Sequence, residues 1–158
     1  MDGAKVAAVF VDNSGIMYDG NGAKMTTTGS IAPTTAVAVT VEGNGVSVFS
    51  AAATPASVKV ANDSTVTLTL NGIDQDSANG VDKWYKISVI GATMNSFTGD
   101  GYLFTTTTDN EASRYTSGTE TTTVYAHVNT QNNPFNAKTL GFAKVTGPVT
   151  ITIEEVTA

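Results

Sequence analysis

In Thr65-Val66-Thr67-Leu68-Thr69-Leu70 every second residue is a threonine and every residue between is a branched aliphatic. Successive side chains of an extended strand point to opposite faces, whereas a helix would scatter these threonines round its circumference, so the segment predicts a strand with one wet and one dry face. The same alternation runs through Thr35–Val41, through Val124, Ala126 and Val128 set against Thr123, Tyr125 and His127, and through Val149–Glu154. About one residue in six is threonine and leucine is scarce, a balance that favours extended backbone over helix. The stretch Val81–Ile90 holds the only tryptophan, and from Trp84 the polar residues Lys86 and Ser88 fall at every second place. Neighbours rich in threonine and alanine cannot match the area an indole buries, so Trp84 is expected to anchor one sheet against another.

The turn residues divide the chain. Val6–Val11 and Gly15–Tyr18 flank Asp12-Asn13-Ser14 and read as a hairpin, followed by Asp19-Gly20-Asn21-Gly22 and a linker with little apolar material. Residues 1–34 are therefore assigned to an N-terminal hairpin or arm with its linker, and 35–158 to one β-domain. Within that domain the Asn44-Gly45 dipeptide predicts a hairpin joining Val37–Val41 to Val46–Phe49, and Ala61–Ser64 predicts a second between Val58–Val60 and Thr65–Leu70. Gly91–Gly101 reads as a loop, Tyr102–Thr108 as a strand, and Asp109–Tyr115 as a helical turn or two at most. Strands of this kind, each with one apolar face, need a second layer to cover them. The expected fold class is all-β, a β-sandwich or jelly roll of antiparallel strands carrying an N-terminal hairpin. Its expected core is Val37, Val39, Val41, Val66, Leu68, Leu70, Trp84, Leu103, Phe104, Val124, Ile151 and Ile153.

Composition excludes several functions. The net charge of −6 comes from 14 acidic and 8 basic residues with no basic stripe, so no nucleic acid is expected as a partner. Without cysteine there is no thiolate zinc site. No run approaches the roughly 20 apolar residues of a membrane span, and the apolar start is short, carries Asp2 and ends without a small-residue cleavage site. The expectation is a protein made in the cytoplasm without an export signal and with no membrane partner.

Candidate sites are few. Asp74, Gln75, Asp76 and Asp82 cluster oxygens that could hold calcium, but Tyr85 stands where an EF-hand would place its closing glutamate, so these are weak metal ligands and no cofactor is expected. His127 is the single histidine, which rules out a two-histidine site within one chain, and no Gly-x-Ser-x-Gly elbow marks a nucleophile. His127 is read as lying on the polar face of its strand. Glu154 and Glu155 alternate to opposite faces and so cannot act together as a glycosidase pair. Trp84, Tyr85, Tyr102, Tyr115 and Tyr125 would form a sugar-stacking platform if several were exposed together. On these readings the protein is not an enzyme.

The Ala4–Gly22 arm, the Val37–Phe49 segment and the cysteine-free composition rich in threonine, glycine, alanine and valine resemble accessory virion proteins of tailed bacteriophages, the capsid decoration (cement) and head fibre proteins. The resemblance implies a structural β-protein on the capsid surface of the virion, a trimer whose partners are the major capsid protein or other virion subunits. Val6, Val9, Phe10, Val11 and Ile16 give the arm apolar area for that contact. The alternatives are a carbohydrate-binding, adhesin or fibre-forming β-module and a phage tail-tube protein.

Overall fold

The structure is a computed structural model that describes Phe10, Val11, Asn13, Met17, Tyr18 and residues 36–73, 82–98, 104–108, 113–129 and 135–157. The chain divides into two compact units, Met1–Thr35 and Ala36–Ala158. In the first, β1 (Phe10–Val11) pairs antiparallel with β2 (Met17–Tyr18), Phe10 opposite Tyr18.

The second unit is a two-layer β-sandwich. One sheet sets six strands side by side, in the order β5 (Ser57–Lys59), β3 (Ala36–Glu42), β12 (Val149–Val156), β7 (Asp82–Ile90), β10 (Thr123–Asn129) and β9 (Phe104–Thr105). The other has four, in the order β4 (Ala52–Thr54), β6 (Val66–Leu70), β11 (Lys138–Ala143) and β8 (Thr93–Phe97). All of these pairings are antiparallel except that of β3 with β12. The strand that contains Trp84, β7, lies in the interior of the large sheet between β12 and β10.

Alternation sets which face is dry. In β6 Val66, Leu68 and Leu70 are buried and Thr67 is exposed, and in β12 Val149, Ile151 and Ile153 are buried while Glu154 is exposed. Aromatic rings thread the interior: Tyr85 meets Phe49 edge-on at 4.9 Å, Phe49 meets Phe135 at 5.0 Å, Phe135 meets Phe104 at 5.9 Å, and Phe97 joins Phe104 to Tyr115. Edge-to-face pairs of this kind add about 0.5–1.5 kcal/mol each beyond their buried area.

Several expectations are corrected. The Asn44-Gly45 turn does not make a hairpin: β3 stops at Glu42, and Gly45–Val48 form one helical turn, α1. Gly43 adopts φ +105°, and a Cβ there would land on the carbonyl oxygen of Ile153, while one on Gly45 would strike the Ile153 side chain. The Asn44 side chain accepts a hydrogen bond of 2.8 Å from the Glu155 amide. The glycines thus let this turn lie directly on β12, and Phe49, at the end of α1, drops into the core instead of continuing a strand. Nor do β5 and β6 pair; Ala61–Ser64 carries the chain from the large sheet to the small one. Residues 93–97, read as loop, form β8, whose Met94 is fully buried. The strand expected over Tyr102–Thr108 is reduced to β9 among the described residues, and Leu103 lies outside them.

The core also differs in detail. Val37, Val39 and Val41 are only half-buried, at the side of the sandwich. Trp84 stands on the outward face of β7, opposite to Tyr85, Ile87 and Val89, so Tyr85 fills the anchoring place assigned to the indole. Asp109–Ala112 lie outside the described residues; beyond them Arg114 bridges Thr105, and Tyr115 is buried with its hydroxyl donating to the Thr119 carbonyl at 2.9 Å.

Candidate functional site

Asp82, Trp84 and Lys86 share the outward face of β7, as Tyr125 and His127 share that of β10. The antiparallel register places His127 opposite Trp84. Ring centroids 4.0 Å apart and planes inclined by 4° make the indole and imidazole a stacked pair. His127 Nε2 lies 2.6 Å from Asp82 Oδ1; the ring N–H donates and the carboxylate accepts. The result is two large rings at the outer side of a sheet that are nevertheless buried, Trp84 at 5% and His127 at 3% exposure, with the Asp82 side chain 77% exposed beside them. The imidazole covers one face of the indole, and Val156, paired with Trp84 on β12, adjoins it from the other strand. Chemically this is a clip: a carboxylate in solvent orients a buried imidazole, and the imidazole closes over an indole.

Next to the clip an open cleft of about 580 Å³ lies at the end of the large sheet, lined by Asn44, Asp82, Lys83, Trp84, Glu155 and the Val156–Thr157 segment. Lys83 Nζ and Glu155 Oε2 pair across it at 3.1 Å. The Glu155 hydrogen bond and charge hold the Lys83 ammonium above its ordinary 10.5. On the inward side the Tyr85 phenol is pushed above 10.0, first by burial and then by the charge of Glu155. The cleft therefore offers a carboxylate, a neutralised ion pair, an amide and the rim of an indole, a set suited to hydrogen-bonding polar groups.

The expected site residues divide. Asp82 Oδ1 accepts from His127, and among the described residues no three histidine, aspartate or glutamate side chains gather in a metal-binding group. Asp74 and Asp76 lie outside the described residues. So do Val6, Val9 and Ile16, whereas Phe10 and Val11 form β1. His127 does lie on its strand's polar face, and Glu154 and Glu155 do diverge, opposite Lys86 and Tyr85 respectively. The sugar-stacking platform is not assembled among the described aromatics, because Trp84, Tyr85 and Tyr115 are buried; Tyr102 lies outside those residues. The pairing of His127 with Trp84 and Asp82 was missed because it depends on strand register, which alternation within each strand leaves open.

No family model, curated protein or solved structure matches this chain.

Proposed function

We propose that the protein is a structural, non-enzymatic virion component that binds and stabilises the outer surface of a phage capsid, its partners the capsid subunits and further copies of itself. The observation that supports this reading most is the division of labour in the chain. Among the described residues every core side chain belongs to Ala36–Ala158, a sandwich layered on itself, while Met1–Thr35 is a separate compact unit with its own hairpin. A covering body joined to a small hairpin unit suits a protein that occupies a repeated surface, where each contact is modest and the array binds firmly. Three of the four sheet edges are short, β4 and β5 at three residues and β9 at two, with Pro55 between β4 and β5, while the fourth, β8, has five residues. Short edges are how β-proteins avoid promiscuous pairing. Among the described residues, the burial of Trp84, Tyr85 and Tyr115 leaves only the half-buried Tyr125 of the rings on which a glycan-binding reading would rest.

The test mixes the full-length protein with capsids stripped of their accessory proteins and measures bound protein and the temperature at which the capsids open. Binding with a higher opening temperature is expected, and a chain with Phe10→Glu and Val11→Glu should bind at least about tenfold more weakly, the equivalent of roughly 1.4 kcal/mol. No binding by the full-length chain would refute the reading.

A further inference from the structure

Of the two rings buried on the outer side of the large sheet, one can take a charge. His127 is buried, stacked on Trp84 and bonded through Nε2 to Asp82 Oδ1, yet the Asp82 side chain itself stands in solvent. Histidine is the side chain that takes up a proton in mild acid, and a buried cation is tolerated only beside a counter-charge. The surroundings of the ring therefore decide what a second proton does. Among the described residues, β7 brings Asp82 and Lys86 to the same outward face, and Lys83 to its other face. On β10 itself Tyr125 lies opposite Lys86, and on β12 Glu154 also lies opposite Lys86 while Glu155 is paired with Lys83. The Phe104–Thr105 strand β9 brings no titratable group. Glu154 and Glu155 each face a lysine, and Asp82 is the carboxylate bonded to the imidazole.

We infer that the clip is an acid-released latch: while Asp82 carries its charge the imidazole stays shut over Trp84 with or without a second proton, and when that charge is lost the imidazolium turns out into water and bares the indole at the cleft. With the carboxylate ionised, the shut imidazolium has a charge-assisted hydrogen bond on one side and the face of an indole on the other, two arrangements that favour a cation. Without that charge the shut state would bury a lone cation, whereas the open state holds it in water. The open state then binds more protons than the shut one, so falling pH favours opening. Exposure of Asp82 lets acid reach it before the latch moves. Opening disturbs no core packing, because Tyr85, Ile87 and Val89 lie on the other face of β7. Trp84 lines the cleft with Asn44, Lys83 and Glu155, so the released latch adds an apolar ring face to a polar wall. The inference does not depend on the virion reading.

Acrylamide quenching of Trp84, the only tryptophan, tests this on the full-length protein from about pH 8 to about pH 3, with far-UV circular dichroism followed in parallel. A chelator is present throughout, so that no cation sits on Asp82. In the unaltered chain quenching should stay low through mild acid and rise toward the acid end while the sheet signal holds. Asp82→Asn keeps an acceptor for the ring N–H and removes only the charge, so its rise should come at least about one pH unit higher. His127→Phe keeps a ring over the indole with no proton to take, and its quenching should not rise. If circular dichroism shows Asp82→Asn unfolded at pH 8, the contrast between the unaltered chain and His127→Phe carries the same expectation. Quenching that stays level across the range, an Asp82→Asn chain that opens no earlier, a His127→Phe chain that opens as the unaltered one does, or loss of the sheet signal at the same pH would overturn the proposal.

Discussion

Trp84 and Ile90 occupy the same face of the same strand and have opposite surroundings: the indole is buried under His127, while Ile90 is 74% exposed. Truncating Trp84 to alanine should cost about 3–5 kcal/mol, as for a buried ring, and Ile90→Ser should stay within about 0.5 kcal/mol. His127→Ala removes the cover without removing the ring, so it should cost about 1–3 kcal/mol and, as a distinct signature, shift the fluorescence of the only tryptophan to the red with greater acrylamide quenching. Denaturant unfolding of the three variants followed by circular dichroism, with emission spectra of the two that keep Trp84, checks this. An unchanged spectrum in His127→Ala would mean that the imidazole does not shield the indole. Composition and alternation made the outward parity of Trp84, Lys86 and Ser88 legible, yet the size of the indole argued for the core. The structure reconciles the two by bringing cover to the outer face from the neighbouring strand.

Among the elements, those whose alternation is strict are the ones legible in sequence: β6, β10 and β12 lie where Thr65–Leu70, Thr123–Val128 and Val149–Glu154 place them. What sequence left open is partnership. The Asn44-Gly45 signal is local, and it lost to a non-local fit in which Gly43 and Gly45 seat the turn on Ile153. β8 escaped notice because Thr93-Met94-Asn95-Ser96-Phe97 has polar residues at three of five places and a register shift beside it. Elements buried through aromatic side chains bear on pH. Burial raises the Tyr85 phenol in β7 and the Tyr115 phenol beside β9 above their ordinary 10.0. In the pH range above 10 the unfolded chain sheds these protons while the folded chain retains them, so the folded state binds more protons and stability falls as pH rises. The contribution is complete below pH 10 and is lost as pH climbs through the raised values. Urea unfolding at pH 9 and pH 11 should show the decline, and Tyr85→Phe should lessen it; identical behaviour of that variant would contradict the assignment.

For the whole molecule, the all-β sandwich was legible because amphipathic strands without helices leave few other ways to cover an apolar face. The order of strands was not, since alternation says which face is dry and nothing about which strand lies beside which. The decisive departure is that β3, from the start of the second unit, runs parallel to β12 from its end, and together with β7 these put the interior of the six-stranded sheet under the control of residues about 110 apart in the chain. That topology places Asn44 and Glu155 at one cleft and puts His127 over Trp84 through β10. Because the chain has no cysteine, it can be read with a single introduced pair. Thr40 and Thr150 are direct partners across β3 and β12, within the Cα separation that a disulfide spans. Oxidation of a Thr40→Cys, Thr150→Cys chain should give a quantitative intramolecular disulfide with the fold retained, while Thr40→Cys, Ser47→Cys, which probes the hairpin suggested by Asn44-Gly45, should stay reduced under the same conditions; the opposite outcome would contradict the sandwich topology described here.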